Sequence, residues 1–196
     1  MTRPADRDGS LDVEAAAGAA LDRGDHAGAA TAILRGYGPQ ILSYLTAVLR
    51  DEDRAGEAFA DFSEDLWRGL PGFERRCPLR AWAYKIARHA ALKIAADPYR
   101  RRAETLASEG YSRLAAEVRS STALHLRSES RALLNELRAG LTLDEQTLLV
   151  LRIDRKLEWR EVAAALDADE AALRKRYERL KDKLRARARA AGLREP

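Results

Sequence analysis

The amino-acid sequence predicts an all-α protein. Apolar residues recur at steps of three and four along nearly the whole chain, alternating runs of Val, Ile and Thr are missing, and Pro71-Gly72 and Asp97-Pro98 cut the pattern into helix-length pieces. The 196 residues, 46% hydrophobic and 34% charged, have the balance of a folded soluble protein, which excludes low-complexity disorder and collagen-like repeats. Either half of the chain is long enough for a modest core, so two small helical domains joined by a linker fit the length as well as one compact body does.

Residues 1 to about 10, with Pro4, Gly9 and Ser10 among charges, are expected to lack order, and an Ala-rich helix ending near Gly24 follows. Further on, Ile33, Leu34, Tyr37, Ile41, Leu42, Leu45, Val48 and Leu49 describe one apolar face. Gly36, Gly38 and Pro39 predict a break or bend in that helix near Pro39. Ala55, Phe59, Phe62, Leu66 and Leu70 make a second amphipathic helix, closed by Pro71-Gly72. Beyond the loop GFERRCP, Leu79, Trp82, Ile86, Ala90 and Ile94 make a third, stopped at Asp97-Pro98. These helices compose a first small bundle. Between Arg100 and Ser130 the pattern weakens and serine and charge take over, as in a linker with some helix. Periodicity resumes at Leu133, Leu134, Leu137 and Leu141 and runs through LTLDEQTLLVLR and LEWREVAAALD into a long basic helix.

Composition also narrows function. The 35 basic and 31 acidic residues leave a net charge of +4, which informs only once the charges are mapped. A single cysteine excludes an internal disulfide framework, and with three scattered histidines it cannot build a zinc site of the usual spacing, so no metal is expected. No P-loop, no G-x-G-x-x-G after a strand, no H-E-x-x-H and no paired nucleophile and base occur, so neither catalysis nor a cofactor is expected. Acids from Asp6 onward argue against a leader peptide, and no segment approaches the roughly 20 apolar residues of a membrane helix, so the expected place of work is the cytoplasm, without membrane insertion. His26 and His125 lie in polar segments typical of surface histidines. Cys77 sits in a basic loop that favours a thiolate; redox sensing is the functional reading and an incidental thiol the plain one.

Two stretches point to nucleic acid. In WREVAAALDADEAALRKRYERL, Val162, Ala163 and Leu166 form one apolar face, polar residues follow, and Leu173, Tyr177 and Leu180 restart the face, the spacing of two helices joined by a tight turn. Asp167, with Glu170 three residues on, is expected to cap the second helix. Packing Leu173 and Tyr177 inward leaves Arg174, Lys175, Arg176, Arg179 and Lys181 outside, where guanidinium and ammonium groups can meet phosphates and guanine edges. The basic residues from Arg174 to Arg189 face only Glu178 and Asp182 within their stretch, so pairing inside the helix is expected to leave most of them unneutralised. The competing reading is a surface helix solvated by its charges. The second stretch carries Arg75, Arg76, Arg80, Lys85, Arg88 and Lys93, then Arg100, Arg101 and Arg102, interleaved with Trp82, Tyr84 and Tyr99. Aromatic rings beside cations suit an unstacked strand, whose bases stack while its phosphates pair. Against this, Trp82 shares a face with Ile86 and fits a core position equally.

The order of these parts resembles the extracytoplasmic-function (ECF) sigma factors of bacterial RNA polymerase, members of the sigma-70 family. GDHAGAATAILRGYGPQILSYL, FADFSEDLWRGLPGF and RAWAYKIARHAALK are similar to the family's region 2, and LTLDEQTLLVLR with LEWREVAAALDADEAALRKRYERLKDKL to its region 4. The resemblance implies a region 2 helical bundle over residues 24–102 and a region 4 helix-turn-helix over 131–190. An N-terminal extension (1–23), a linker (103–130) and a tail (191–196) complete the chain. It implies docking on core polymerase through Phe59, Asp61, Phe62, Leu66 and Trp67. Capture of the single-stranded −10 element falls to Arg75, Arg76, Arg80, Trp82, Lys85, Arg88 and His89. Reading of the duplex −35 element falls to Arg174, Lys175, Arg176, Arg179 and Lys181, and the segment Leu141 to Leu151 corresponds to the helix near the polymerase flap. An anti-sigma factor is a further implied partner. The chain departs from the family pattern at Ala60, where Gln is usual, at His89 for Asn, at Lys93 for Asp, and at Asp167 for the common turn Gly. Two other classes fit the residues: a dimeric helix-turn-helix regulator on palindromic sites, and a sigma-like protein that binds polymerase without opening promoters.

Overall fold

The computed structural model describes residues 5–96, 109–123 and 140–190. Among them are eight α-helices and no strand, as the periodicity predicts. They are α1 (Ala5–Asp22), α2 (His26–Leu49), α3 (Glu52–Gly69), α4 (Leu79–Ala96), α5 (Glu109–Ala123), α6 (Leu143–Leu149), α7 (Trp159–Leu166) and α8 (Glu170–Ala190). A 3₁₀ turn at Leu70–Gly72 follows α3, and α6 passes into a π turn at Val150–Asp154. Tyr99, Arg100, Arg101, Arg102, His125, Leu133, Leu134 and Leu137 lie outside the described residues, as do residues 1–4 and the tail 191–196.

Two sequence expectations are corrected at the N-terminal side. The first helix starts at Ala5, within the stretch expected to lack order. The second helix runs unbroken from His26 to Leu49 with Pro39 inside it. An interior proline costs about 3 kcal/mol, while each large apolar side chain removed from water returns about 1.5–3 kcal/mol. Ile33, Leu34, Tyr37, Ile41 and Leu45 are all at most 1% exposed, so burial on this helix outweighs the missing hydrogen bond. The neighbouring glycines serve packing. A Cβ on Gly36 would lie 2.1 Å from Cγ2 of Val13 on α1, and one on Gly38 would lie 2.9 Å from Cγ1 of Val118 on α5. Both helices therefore approach α2 over its glycines.

Helix starts are set by local oxygen acceptors. The Asp25 carboxylate accepts from the Gly28 N–H at 2.7 Å and Asp51 from the Arg54 N–H at 2.9 Å. Thr142 and Glu145 form a reciprocal capping box at α6. The start of α4 is served from elsewhere in the chain: the Glu14 carboxylate of α1 accepts the N–H groups of Leu79 at 3.0 Å and Arg80 at 2.8 Å.

The core centres on α2. Tyr44 meets Tyr84 of α4 edge-on at 5.7 Å between centroids, and Phe59 and Phe62 of α3 pack at 5.6 Å. α5 falls within the segment read as linker, and its Ala115 and Val118 are buried beside α2 and α3. The core continues into the second half of the chain through Leu148, Leu149, Val162 and Leu173. The Tyr44 hydroxyl lies 3.0 Å from the Thr147 hydroxyl of α6, and this burial pushes the Tyr44 phenol above its ordinary range. Arg155, after the π turn, donates to the Gln40 carbonyl at 3.3 Å.

Candidate nucleic-acid interface

α7 and α8 form two helices around a tight turn. Glu161 of α7 accepts the Glu158 N–H at 2.8 Å, closing the N-terminal end. Asp167 ends α7 in the left-handed region, at φ 54° and ψ 48°, with its N–H on the Ala163 carbonyl. The expected cap on the second helix therefore moves: Asp169 accepts the Ala172 N–H at 2.9 Å, because Asp167 is spent on turning the chain. Leu173 and Leu180 are buried, and half-buried Tyr177 meets Trp159 edge-on at 5.5 Å.

This packing leaves Arg174, Lys175, Arg176 and Arg179 exposed on one helix, as the spacing predicts, while Lys181, expected outside with them, is half-buried. Pairing within the helix goes further than expected. Arg174 bonds Glu170 at 2.5 Å while lying over the Trp159 ring at 5.0 Å; Lys181 pairs with Glu178 at 2.7 Å and Arg185 with Asp182 at 3.3 Å. Lys175 and Arg179 make no ion pair with another described residue and, with Arg176 and Lys183, line an open groove beside Glu145. Burial raises the Glu145 carboxyl, but the Thr142 N–H and the Lys183 ammonium outweigh it and hold its pKa below the usual carboxylate value.

The second candidate surface comprises α4 and the loop before it. Phe73 and Trp82 pack at 4.7 Å, and Trp82 is half-buried, so one side of its ring is already occupied. Tyr84 is 1% exposed and belongs to the core, which corrects its reading as a stacking residue. Arg75 takes the left-handed conformation at φ 56° and bonds Asp22 of α1 at 2.6 Å; Arg76 pairs locally with Glu74 at 2.7 Å. Burial pushes the Cys77 thiol up and outweighs the nearby Lys85, opposite to the thiolate that the basic loop suggests. Along the helix, Arg80 reaches both Glu161 oxygens at 3.0 Å, Lys85 reaches Asp167 at 3.2 Å, Arg88 reaches Asp144 at 2.7 Å, and Lys93 reaches Asp65 at 2.9 Å. His89 is exposed, and partial desolvation together with Arg88 and Lys85 holds its pKa below the usual value.

On α3 the candidates divide. Phe59, Phe62 and Leu66 are 0% exposed and build the core, so in this conformation they cannot touch another molecule; Asp61 and Trp67 are half-buried at its edge. What sequence reasoning missed are the carboxylates Glu14, Asp22, Asp144 and Glu161, and the contact of Asp167 with Lys85, all facing α4 and its loop. Each lies in or beside a helix terminus or on an amphipathic helix, where an acid needs no further explanation.

Residues 33–105 match the family described as Sigma-70 region 2. The matched span takes in most of α2 and all of α3 and α4, and it supports a sigma-like role in RNA polymerase binding and promoter melting. No curated protein matches the chain. Among the described residues no group of His, Cys, Asp and Glu is placed to hold a metal, and no helix is long and apolar enough to cross a membrane.

Proposed function

We propose that this chain is an RNA polymerase sigma factor of the ECF type: it binds core polymerase, recognises a −10 and a −35 promoter element, and directs transcription initiation in the cytoplasm. The match of residues 33–105 to sigma-70 region 2 carries the reading, because it covers both α3 and α4. Residues 24–102 act as the region 2 unit and residues 131–190 as a region 4 unit. On α8 the exposed cations after a left-handed turn favour duplex recognition, with Lys175 and Arg179 the readiest to meet bases or phosphates. Arg75, Arg76, Arg80, Trp82, Lys85, Arg88 and His89 hold the unpaired −10 strand, the cations on phosphates and the Phe73–Trp82 pair beside the bases. Asp61 and Trp67 supply the polymerase contact on α3, over the core that Phe59, Phe62 and Leu66 build. An anti-sigma factor remains a proposed partner.

The test is complex formation. The full chain, mixed with bacterial core polymerase, is expected to co-elute from a sizing column. Trp67→Ala is expected to weaken the complex by about tenfold, the loss typical of an interfacial tryptophan. Failure of the intact chain to co-elute would overturn the proposal.

A further inference from the structure

We infer that Trp159 is a specificity-determining residue of the α8 surface: its ring tethers Arg174, so that this arginine cannot follow whichever phosphate lies nearest. The inference rests on the duplex-DNA reading of α8 given above. Three elements converge on the ring. Trp159 is the first residue of α7 and is half-buried against the core. Arg152, from the π turn, holds its guanidinium carbon 4.5 Å from the ring centroid while its Nη1 donates to the Leu157 carbonyl. Arg174, in the second turn of α8, holds its own at 5.0 Å, and Tyr177 meets the ring edge-on at 5.5 Å. A guanidinium within about 6 Å of an indole ring is attracted by the negative charge of its face.

The cations of α8 thereby fall into two groups. Arg174 has the Trp159 ring and, at 2.5 Å, the Glu170 carboxylate one turn back. Lys181 repeats the arrangement, with the Tyr177 ring at 5.3 Å and Glu178 at 2.7 Å. Lys175 and Arg179 have neither a ring nor an acid among the described residues. The ion pair alone is a weak restraint, because an exposed pair on a helix contributes little and loosens in salt. The ring supplies what the pair lacks. An indole with two torsions, packed on the core and backed by Arg152, has one place to be, and the flexible arginine takes its position from it. A free arginine on a DNA-facing helix pairs with the nearest phosphate and so adds affinity for every sequence alike. Discrimination is the difference between right and wrong sites, so a tether that withholds this uniform attraction raises it.

The experiment titrates the full chain with a short fluorescein-labelled DNA duplex of randomised sequence at several salt concentrations. Trp159→Leu keeps an apolar side chain and removes the ring. It is expected to bind about threefold more tightly at low salt, with a salt slope steeper by about one, the signature of one added phosphate contact. Trp159→Phe, which keeps a ring face, is expected to match the native chain, and Arg174→Ala placed on Trp159→Leu is expected to cancel the gain. Sequencing the retained duplexes reports discrimination, and Trp159→Leu is expected to retain a broader set than the native chain. An unchanged slope, a gain that survives Arg174→Ala, or an equally narrow retained set overturns the inference and leaves the proposed function standing. A tryptophan that only supports the fold would give weaker binding at the native slope, which overturns it as well. If Lys175→Ala and Arg179→Ala bind the duplex as the native chain does, the DNA reading of α8 fails and the inference with it. A second measurement needs no variant to fold. In the native chain, nuclear spin relaxation of the arginine Nε–H groups is expected to show Arg174 more ordered than Arg179, and equal order contradicts the tether.

Discussion

Lys175 and Arg179 are exposed on α8 with no ion partner among the described residues, whereas Arg174 is held by Glu170 and the Trp159 ring. Side chains with no bond to break contribute most on binding DNA. Replacing Lys175 or Arg179 by Ala is therefore expected to cost about 1–3 kcal/mol of promoter affinity where the contact is to a base edge. A phosphate contact would instead lower the salt slope by about one. Titrating a promoter duplex with the polymerase-bound chain at several salt concentrations separates the two, and Arg174→Ala is expected to do less than either. Glu145 makes the acid-side prediction. Its pKa is depressed in the folded chain, so the unfolded chain binds its proton more readily. Its contribution to stability is complete above about pH 4.3 and is lost as pH falls through the lower folded value. Urea unfolding from pH 7 down to pH 3 is expected to show Glu145→Gln less stable than the native chain at neutral pH, with the gap closing in acid.

Helix existence was legible from spacing wherever the apolar stripe is long, as Ala55, Phe59, Phe62, Leu66 and Leu70 show by being buried on α3 and its closing turn. The failures have two causes. Gly36, Gly38 and Pro39 are local breakers, and tertiary burial of the apolar face, with α1 and α5 packed over the glycines, keeps that stretch a continuous helix. A Gly36→Ala change gains about 1 kcal/mol of helix propensity but drives a methyl toward Val13, an overpacking worth about 1–3 kcal/mol. The expected balance is a net loss of stability in denaturant unfolding, with faster hydrogen exchange along α1. An increase in stability would contradict the close approach. The Asp167 misreading has a local source, since a capping residue and a left-handed helix stop use the same amino acid.

Across the whole molecule, the candidate residues of each surface were legible and their partners were not. Arg80 finds Glu161 81 residues away and Arg88 finds Asp144 56 residues away, separations at which no spacing rule operates. Helical period places a cation on an outer face but is silent on what that face meets. The two surfaces are therefore visible in the sequence as separate basic stripes, and their engagement through Asp144 only in the folded chain. The central claim is that this chain directs RNA polymerase to promoters. It is tested most directly by mapping transcript 5′ ends made by core polymerase and the full chain on fragmented genomic DNA of the source organism. Discrete starts that share two upstream elements, and that vanish when the chain is omitted, are the predicted result; random or chain-independent starts would contradict it.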